Sequence, residues 1–255
     1  MKNVMILNLK VKLGNIFYRI LNKILSRFRY TLVSNKNIEI YRNLLKKYSW
    51  EITYNEQKPI NMNGEELPWF TFPAIEYLSQ IDMTQFKIYE WGSGNSSKYF
   101  ARRCHSIVSI ESDKEWYDYG IRELAKNQKI VLCSPREYAA SIDADNQLYD
   151  LIIIDSLYRY ECANYALKHL KSGGVIILDN SDWHPNTCKF LRESSRFIQV
   201  DFHGFGPINQ YSWTTSLFFD KYAEIKPLNN VQPHYSQAAI IQVSDYDQAA
   251  PNSEV

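Results

Sequence analysis

The stretch Phe86-Lys-Ile-Tyr-Glu-Trp-Gly-Ser-Gly-Asn-Ser-Ser-Lys98 decides the fold of this chain. An apolar segment of β-strand composition runs directly into a Gly-x-Gly turn, and a helix-prone run follows the turn. A strand, a glycine turn and a helix in this order are typical of a site for a phosphate or a nucleoside. The stretch therefore predicts an α/β domain whose ligand site begins at Gly92.

Two acidic residues narrow the choice of ligand. Glu90 lies two residues before Gly92, where a carboxylate would repel a pyrophosphate but would suit a cationic amine. A second apolar segment, Ile107-Val-Ser-Ile110, ends on Glu111, and an acid at the carboxyl end of that strand can accept two hydrogen bonds from ribose hydroxyls. The two acids together favour a nucleoside that carries an amino-acid-like tail.

This pattern resembles the class I S-adenosylmethionine-dependent methyltransferases, in which an Asp/Glu-x-Gly-x-Gly motif opens the cofactor site and a second acid holds the ribose. Here the motif is Glu90-Trp-Gly-Ser-Gly94, and the second acid is Glu111. The resemblance implies S-adenosylmethionine as the cofactor. The residues that it implies as cofactor ligands are Glu90, Gly92, Ser93, Gly94, Glu111, Ser134 and Asp155. Ser134 falls where the family commonly contacts adenine, although the acid often found there is absent.

Further strands and helices alternate after Glu111. Candidate strands lie at 130–133, 149–154 and 175–179, with helical runs before the first and the third of them. One helix is expected to start at a Ser112-x-x-Glu115 capping box and to run to about residue 127, and another is expected to end at Gly173-Gly174. Five strand-helix units predict a doubly wound, mostly parallel sheet of the Rossmann-like methyltransferase type. Two last strands, 196–202 and 212–219, are joined by a link too short for a crossover helix, so we expect a C-terminal antiparallel hairpin.

Acidic residues also follow the fourth and fifth strands, as Asp155 and as the pair Asp179-Asn180. These positions resemble the metal-dependent O-methyltransferases of the catechol type and related sugar O-methyltransferases. The resemblance implies that Asp155, Asp179 and Asn180 hold Mg²⁺, an ion that prefers oxygen ligands, and that Asp155 takes part in catalysis. The chain departs from that family because a tyrosine, followed by Arg159, replaces the lysine three residues after the first metal aspartate. The alternative is that Asp179 and Asn180 cap the loop that follows them.

His184 is the candidate general base, because an imidazole of near-neutral pKa can take a proton from a hydroxyl group. A surface histidine that begins the next helix is the alternative interpretation. Phe205, Tyr211 and Trp213 are expected to shape the pocket for a small-molecule or carbohydrate acceptor. In the resembled family, residues just before the first strand often cover the cofactor, and Trp69 or Phe70 stands at that place here. Packing is the alternative role for all of these aromatic side chains.

Composition limits the class of protein. Of 255 residues, 45% are hydrophobic, and 29 basic residues balance 28 acidic ones, so we expect no nucleic-acid partner. Four cysteines at positions 104, 133, 162 and 188 form no Cys-x-x-Cys pair, which favours reduced thiols over a zinc site. With no cleavable signal and no long apolar run, the sequence predicts a cytoplasmic protein.

The N-terminal segment differs from the rest of the chain. Residues 1–33 hold seven basic residues and no acid, and apolar residues recur at helical spacing over 16–28. This basic amphipathic helix predicts either peripheral attachment through residues 1–30 to an anionic membrane or acidic partner, or packing on protein. We therefore divide the chain into a basic helical segment at 1–33, a helical and loop cap at 34–72, a methyltransferase domain at 73–225 and a tail at 226–255. The cap is expected to contain one short helix over 38–50, and the tail one strand at 239–243.

The leading hypothesis is an S-adenosylmethionine-dependent methyltransferase that acts on the hydroxyl of a small molecule, sugar or glycan, with or without a metal ion. One alternative is a non-catalytic nucleoside-binding or scaffold protein on the same fold. Another is an NAD-dependent oxidoreductase, because that class shares the glycine-rich turn and the ribose-binding acid.

Overall fold

A computed structural model describes residues 3–4, 15–27, 30–31, 35–194 and 196–241. The chain forms two compact units, residues 1–47 and residues 48–255. The boundary lies within the segment 34–72, so the two helices of that segment that flank residue 48 belong to different units. The described residues contain no helix long and apolar enough to cross a membrane.

The first unit contains helix α1 (Asn15–Ser26), helix α2 (Asn35–Lys47) and a short parallel pairing of Asn3–Val4 with Tyr30–Thr31. Helix α1 corresponds to the predicted amphipathic helix, and residues 28 and 29 lie outside the described residues. Two isoleucines of α1 are more than half exposed, and its basic side chains at positions 19 and 23 are exposed as well, as is Arg27 in the turn after the helix.

The second unit opens with α3 (Trp50–Glu56) and α4 (Phe72–Ser79). A single helix over 38–50 was the prediction, but α3 starts separately because Ser49 adopts a left-handed conformation with φ 61°. The Ser49 carbonyl oxygen accepts hydrogen bonds from the amides of Ile52 and Thr53, which starts a new helical turn at this point.

A seven-stranded sheet forms the centre of this unit. Its strands are β1 (Lys87–Trp91), β2 (Ser106–Glu111), β3 (Gln128–Leu132), β4 (Tyr149–Ile154), β5 (Leu170–Asp179), β6 (Phe197–Gly204) and β7 (Trp213–Asp220). They lie in the order β3-β2-β1-β4-β5-β7-β6, with β7 antiparallel to both of its neighbours and the other pairings parallel. The predicted α/β fold, a mostly parallel doubly wound sheet with a C-terminal antiparallel hairpin, is confirmed.

Helices cover both faces of the sheet, which is why the central strands are apolar on both sides. The helices that follow the strands are α5 (Asn95–Ala101), α6 (Lys114–Gly120), α7 (Arg159–His169) and α8 (Pro185–Glu193). Ile88, Ile153 and Ile177 face the core that includes α4 and α5. Trp91 and Ile152 face the opposite core, which includes buried residues of α7 and α8.

Two predicted helix ends were wrong. Asp113 rather than Ser112 caps α6, because its carboxylate accepts a hydrogen bond from the amide of Trp116 at 2.8 Å, and the helix ends at Gly120 rather than near residue 127. The Gly173-Gly174 pair lies within β5 and does not cap α7. A Cβ at Gly174 would lie 3.0 Å from the Asp150 carbonyl oxygen, so the close approach of β4 and β5 requires glycine there.

The described part of the tail packs along α4. The amides of Leu228 and Gln237 donate to the Gln80 carbonyl oxygen (2.7 Å) and the Glu76 carboxylate (2.6 Å). A strand predicted at 239–243 is absent from its described part, residues 239–241, and the rest of it lies outside the described residues.

Candidate functional site

A cavity of about 640 Å³ lies beyond the carboxyl ends of β1, β4 and β5; we call it the rim cavity. Its wall consists of the turn at 93–96, two aromatic residues of α6, the residues that follow β4 and β5, and segments from 57–59 and 208–213. The strand order reverses direction between β1 and β4, and ligands of doubly wound sheets bind at such a switch point. The volume is in the range of small-molecule sites.

The glycine turn after β1 forms one side of this cavity. Gly92 has φ +101°, and a Cβ at this position would lie 2.8 Å from the carbonyl oxygen of Asp155. Gly94 lines the cavity, and a Cβ there would lie 3.8 Å from the nearest atoms, those of the Trp116 indole. The backbone conformation and the nearby Asp155 carbonyl oxygen therefore require glycine at position 92. Position 94 has room for a side-chain Cβ next to the cavity.

Glu90 lies behind the cavity wall, with 1% of its surface exposed. Its carboxylate accepts hydrogen bonds from the hydroxyls of Ser96 (2.5 Å), Ser97 (2.5 Å) and Ser109 (2.6 Å). Burial raises the pKa of Glu90 to about 7, and the charge of Asp155 acts in the same direction, while the three serine hydroxyls oppose the shift. Ser96 itself lines the cavity, so a cation bound there would face this carboxylate across one hydroxyl group.

Glu111 joins the glycine turn to the loop after β2. Its Oε2 accepts from the Ser93 hydroxyl at 2.8 Å and the Ser93 amide at 3.3 Å, and its Oε1 accepts from the amides of Ser112 and Asp113. A ribose would therefore have to replace the Ser93 hydroxyl. Ser134 is exposed beyond β3 and donates to Glu137 at 2.9 Å, outside the residues that line the rim cavity.

Trp116 and Tyr119 provide an aromatic wall that the sequence reasoning missed. Their rings stack with centroids 5.7 Å apart, and the Trp116 indole N–H donates to the Ser93 carbonyl oxygen at 2.7 Å. Both rings are about half exposed and line the rim cavity. One feature of the sequence could have identified Trp116. It follows the capping residue Asp113 by three positions, so it lies in the first turn of the helix that begins next to the carboxyl end of β2.

Arg159 holds the acidic end of the site together. Its Nη2 donates to Asp155 Oδ1 at 3.2 Å and to Asn180 Oδ1 at 3.1 Å. Its Nε donates to the Asp179 carbonyl oxygen at 3.3 Å, and its Nη1 donates to the Ser156 carbonyl oxygen. The side chain is 15% exposed, so this cation is largely withdrawn from solvent.

Asp155 and Asp179 lie close enough for their charges to interact. Asp179 is 2% exposed, and its Oδ1 accepts from the Thr215 hydroxyl at 2.5 Å and the Trp213 indole at 3.1 Å. Burial raises the pKa of Asp179 to about 7. Burial and the neighbouring Asp179 charge also raise the pKa of Asp155 well above its usual range, and Arg159 opposes that shift.

The implied Mg²⁺ does not fit this arrangement of side chains. The oxygens of Asp155 and Asn180 that would bind it face the Arg159 guanidinium, and Asp179 Oδ1 already accepts two hydrogen bonds. Within the part of the chain that the structure describes, no group of three or more His, Cys, Asp or Glu side chains could hold a metal ion. The side chains of Asp155 and Asn180 share one partner, the Arg159 guanidinium, whereas the Asp179 carboxylate faces Thr215 and Trp213.

The two predicted catalytic residues line different cavities. Asp155 lines the rim cavity, whereas His184 lines a neighbouring cavity of about 690 Å³ beside the first turn of α8. Burial and the Arg159 charge lower the pKa of His184, so its imidazole is neutral near pH 7. Trp183, the residue before His184, lines both cavities.

Four aromatic side chains, those of Trp69, Trp183, Tyr211 and Trp213, line another part of the rim cavity. The Tyr211 ring lies 6.4 Å from the Trp183 ring and 6.0 Å from the Trp213 ring, centroid to centroid. Phe205, which the sequence predicts as part of the acceptor pocket, is 58% exposed and is not among the residues that line the rim cavity.

No family model and no curated protein matches the chain. Its fold is similar to solved structures of methyltransferases. An rRNA methylase from Streptococcus thermophilus is 11% identical over 58% of this chain and 96% of its own, with a TM-score of 0.47. The O-methyltransferase TomG from Streptomyces achromogenes, solved with SAM, is 17% identical over 58% and 77%, with a TM-score of 0.48. A precorrin-6y C5,15-methyltransferase from Geobacter metallireducens is 15% identical over 58% and 86%, with a TM-score of 0.46.

At these identities and TM-scores the likeness concerns the fold, and the assignment of the fold rests on the sheet itself. The dinucleotide dehydrogenases continue the parallel sheet beyond the fifth strand. Because β7 runs antiparallel between β5 and β6 in an otherwise parallel sheet, the chain has the Rossmann-like fold of the class I methyltransferases.

Proposed function

We propose that this protein is an S-adenosylmethionine-dependent methyltransferase that acts on a hydroxyl group of a small molecule, sugar or glycan. One observation carries the proposal. A single cavity joins the glycine turn, with Glu90 behind it and Glu111 holding it, to an aromatic chamber that contains Asp155. The first half suits a nucleoside with an amino-acid tail, and the second half suits an apolar-faced acceptor such as a sugar ring.

The residues of the glycine-turn side fit such a cofactor. Glu90 would favour the cationic amine, Glu111 would accept from the ribose in place of Ser93, and Trp116 would offer its face to the adenine. When bound, the cofactor supplies an electrophilic methyl group. The protein's part is to exclude water and to align an acceptor oxygen with that methyl group.

Asp155 is the better-placed of the two candidate bases, because it lines the same cavity as the glycine turn. A carboxylate whose pKa is raised by burial accepts a hydroxyl proton more readily than an exposed one. His184 is neutral near pH 7 and would act only on an acceptor that reaches into the neighbouring cavity.

Calorimetric titration with S-adenosylhomocysteine and with NADH tests the cofactor class. We expect S-adenosylhomocysteine to bind and NADH not to bind, and Trp116→Ala to weaken binding by roughly 5- to 100-fold, the usual cost of losing an aromatic face against a base. Tyr222→Ala is the matched control, because this tyrosine is 66% exposed and lies outside the rim cavity.

Each outcome selects one hypothesis. Binding of NADH alone would favour the oxidoreductase, and binding of neither ligand by the folded protein would refute the cofactor assignment. Binding of S-adenosylhomocysteine, without methyl transfer to any member of a panel of hydroxylated small molecules and sugars, would favour the non-catalytic nucleoside-binding protein.

A further inference from the structure

Arg159 lies where a metal-dependent enzyme of this fold would hold its ion. A single guanidinium nitrogen, Nη2, is 3.2 Å from Asp155 Oδ1 and 3.1 Å from Asn180 Oδ1, two of the oxygens that the sequence pattern assigns to Mg²⁺. A divalent ion would need those same oxygens at about 2.0 to 2.6 Å. The guanidinium and the ion therefore exclude each other by space as well as by charge.

The arginine is fixed in this place from its other side. Its Nε and Nη1 donate to the main-chain carbonyl oxygens of Asp179 and Ser156, at the ends of β5 and β4. A guanidinium has five N–H donors in a rigid plane. The two hydrogen bonds to main-chain carbonyls and the two to Asp155 and Asn180 together use four of these donors. Moving Arg159 out of the site would cost all four hydrogen bonds, so its position is set by the same two strand ends that position the acids.

We propose that Arg159 is a built-in replacement for the divalent cation. It holds the oxygens of Asp155 and Asn180 in fixed positions and supplies a positive charge beside the acidic pair, so the protein works without a metal ion. Arg159 is a positioning residue in this proposal, because it acts through Asp155. The inference deepens the proposed methyltransferase function, but its test requires neither the cofactor nor an acceptor.

The proposal predicts that removal of the guanidinium creates a metal site. Arg159→Ala leaves the Asp155 and Asn180 side-chain oxygens and the Asp179 and Ser156 carbonyl oxygens without their shared partner, and oxygen ligands of this kind suit a hard cation. Mn²⁺ is the probe, because its free and bound forms are distinguished by electron paramagnetic resonance. We expect the wild-type protein to bind Mn²⁺ weakly or not measurably, and Arg159→Ala to bind it at least about tenfold more tightly than the wild-type value or its detection limit.

Three variants make the test specific. Adding Asp155→Asn to Arg159→Ala should abolish the gained binding, because the site then loses a charged ligand. Arg159→Gln, of similar reach but uncharged, should also gain binding and guards against a folding defect of the alanine variant. Arg192→Ala is the matched control, because this arginine contacts Gln199 on the surface of α8 and should gain no Mn²⁺ affinity.

The proposal would be overturned if the wild-type protein bound Mn²⁺ and lost that binding in Asp155→Asn. Folded Arg159→Ala and Arg159→Gln proteins that gain no affinity would also overturn it. If both variants fail to fold, the wild-type and Asp155→Asn titrations decide alone. Titration of the wild-type protein with S-adenosylhomocysteine is a separate measurement, so failure of the proposed function is recognised independently.

Discussion

Glu90 is a buried acid whose charge depends on what occupies the cavity in front of it. Its pKa in the folded protein is about 7, above the ordinary value of 4.5, so the folded state binds a proton that the unfolded chain releases between these two pH values. Burial of Glu90 therefore lowers the stability of the folded protein progressively as pH rises from about 4.5 to about 7, by at most about 3 kcal/mol. A cation bound beyond Ser96 would offset that cost.

This predicts a pH-dependent affinity for S-adenosylhomocysteine, whose amino group is cationic. The cationic amine favours ionised Glu90, so we expect affinity to fall as pH decreases below about 7, by no more than about tenfold per pH unit, with a proton released on binding near pH 7. Calorimetry in buffers of different ionisation enthalpy measures that proton. Glu90→Gln should bind more weakly and should lose the pH dependence; an unchanged pH profile in this variant would contradict the assignment.

At the scale of elements, the turn between β1 and α5 allows its two glycines to be distinguished. Gly92→Ala introduces a Cβ at φ +101° and 2.8 Å from the Asp155 carbonyl oxygen, so we expect a loss of roughly 1–3 kcal/mol in the free energy of unfolding. Gly94→Ala places its Cβ 3.8 Å from the Trp116 ring and should leave stability nearly unchanged. Urea unfolding of the two variants checks this, and equal losses would show that the turn is not strained as described.

Helix α1 is the element for which we propose a membrane partner. Ile20 and Ile24 are 54% and 51% exposed, Arg19 and Lys23 are exposed on the same short helix, and Arg27 is exposed in the turn that follows it. An apolar stripe beside basic side chains favours an anionic lipid surface, where each basic residue contributes about 1 kcal/mol. We expect the full chain to co-sediment with phosphatidylserine vesicles at low salt, and binding to weaken as salt increases.

Two variants separate this proposal from packing on protein. Removing residues 1–30 should abolish vesicle binding, and Ile20→Gln combined with Ile24→Gln should weaken it while retaining every basic residue. Neutral phosphatidylcholine vesicles are the control surface. If the truncated chain sediments with anionic vesicles as well as the full chain does, α1 has a structural role instead.

At the scale of the whole molecule, Arg196 connects elements distant in sequence. Its guanidinium pairs with Asp220, which is 3% exposed, and donates to the carbonyl oxygens of Leu167, Leu170 and Lys171. The end of α7, the start of β5 and the end of β7 therefore share one side chain. Removing it leaves a buried carboxylate and three carbonyl groups without this partner.

Arg196→Ala should lower the free energy of unfolding by about 3 kcal/mol at pH 7, because one partner of a largely buried pair is removed. Burial raises the pKa of Asp220, but hydrogen bonds from Arg196 and from the backbone of Tyr222 and Gly173, together with the Arg196 charge, outweigh burial and hold the pKa below its ordinary value of 3.8. The stabilisation is thus present above pH 3.8 and lost as pH falls through the depressed pKa, so the difference from wild type should shrink at low pH. Urea unfolding at pH 7 and pH 3 measures this, with Arg192→Ala as the surface control; a constant difference would contradict the ionic interpretation.

Much of the sheet could be predicted, because its strands are long apolar runs that end on polar residues. Glu90 and Glu111 at the ends of β1 and β2 follow from that pattern alone. The ends of α6 and α7 could not be predicted in the same way, because several residues offer competing caps. Asp113 rather than Ser112 reached the amide of Trp116, and Gly174 was required by the approach of β4 to β5.

The site was predictable only as far as strand ends determine it. Asp155 and Asn180 come close enough to share one partner because they follow neighbouring strands, β4 and β5. Arg159, in contrast, is one of several basic residues in a helix, and nothing in the sequence tells whether its long side chain turns back to the strand ends or out to solvent. His184 illustrates the opposite error, because closeness in sequence to Asn180 did not bring it into the same cavity.

The tryptophans that line the rim cavity allow ligand binding to be followed by the intrinsic fluorescence of the protein. Four of its six tryptophans, at positions 69, 116, 183 and 213, line that cavity, and three of these are about half exposed. Indole emission shifts to shorter wavelength when water leaves the ring, so a ligand that fills the cavity will alter most of the intrinsic fluorescence without any attached label. NADH absorbs light where indoles emit, so for that ligand the same NADH concentration added to free tryptophan is the control that separates occupancy from simple absorption.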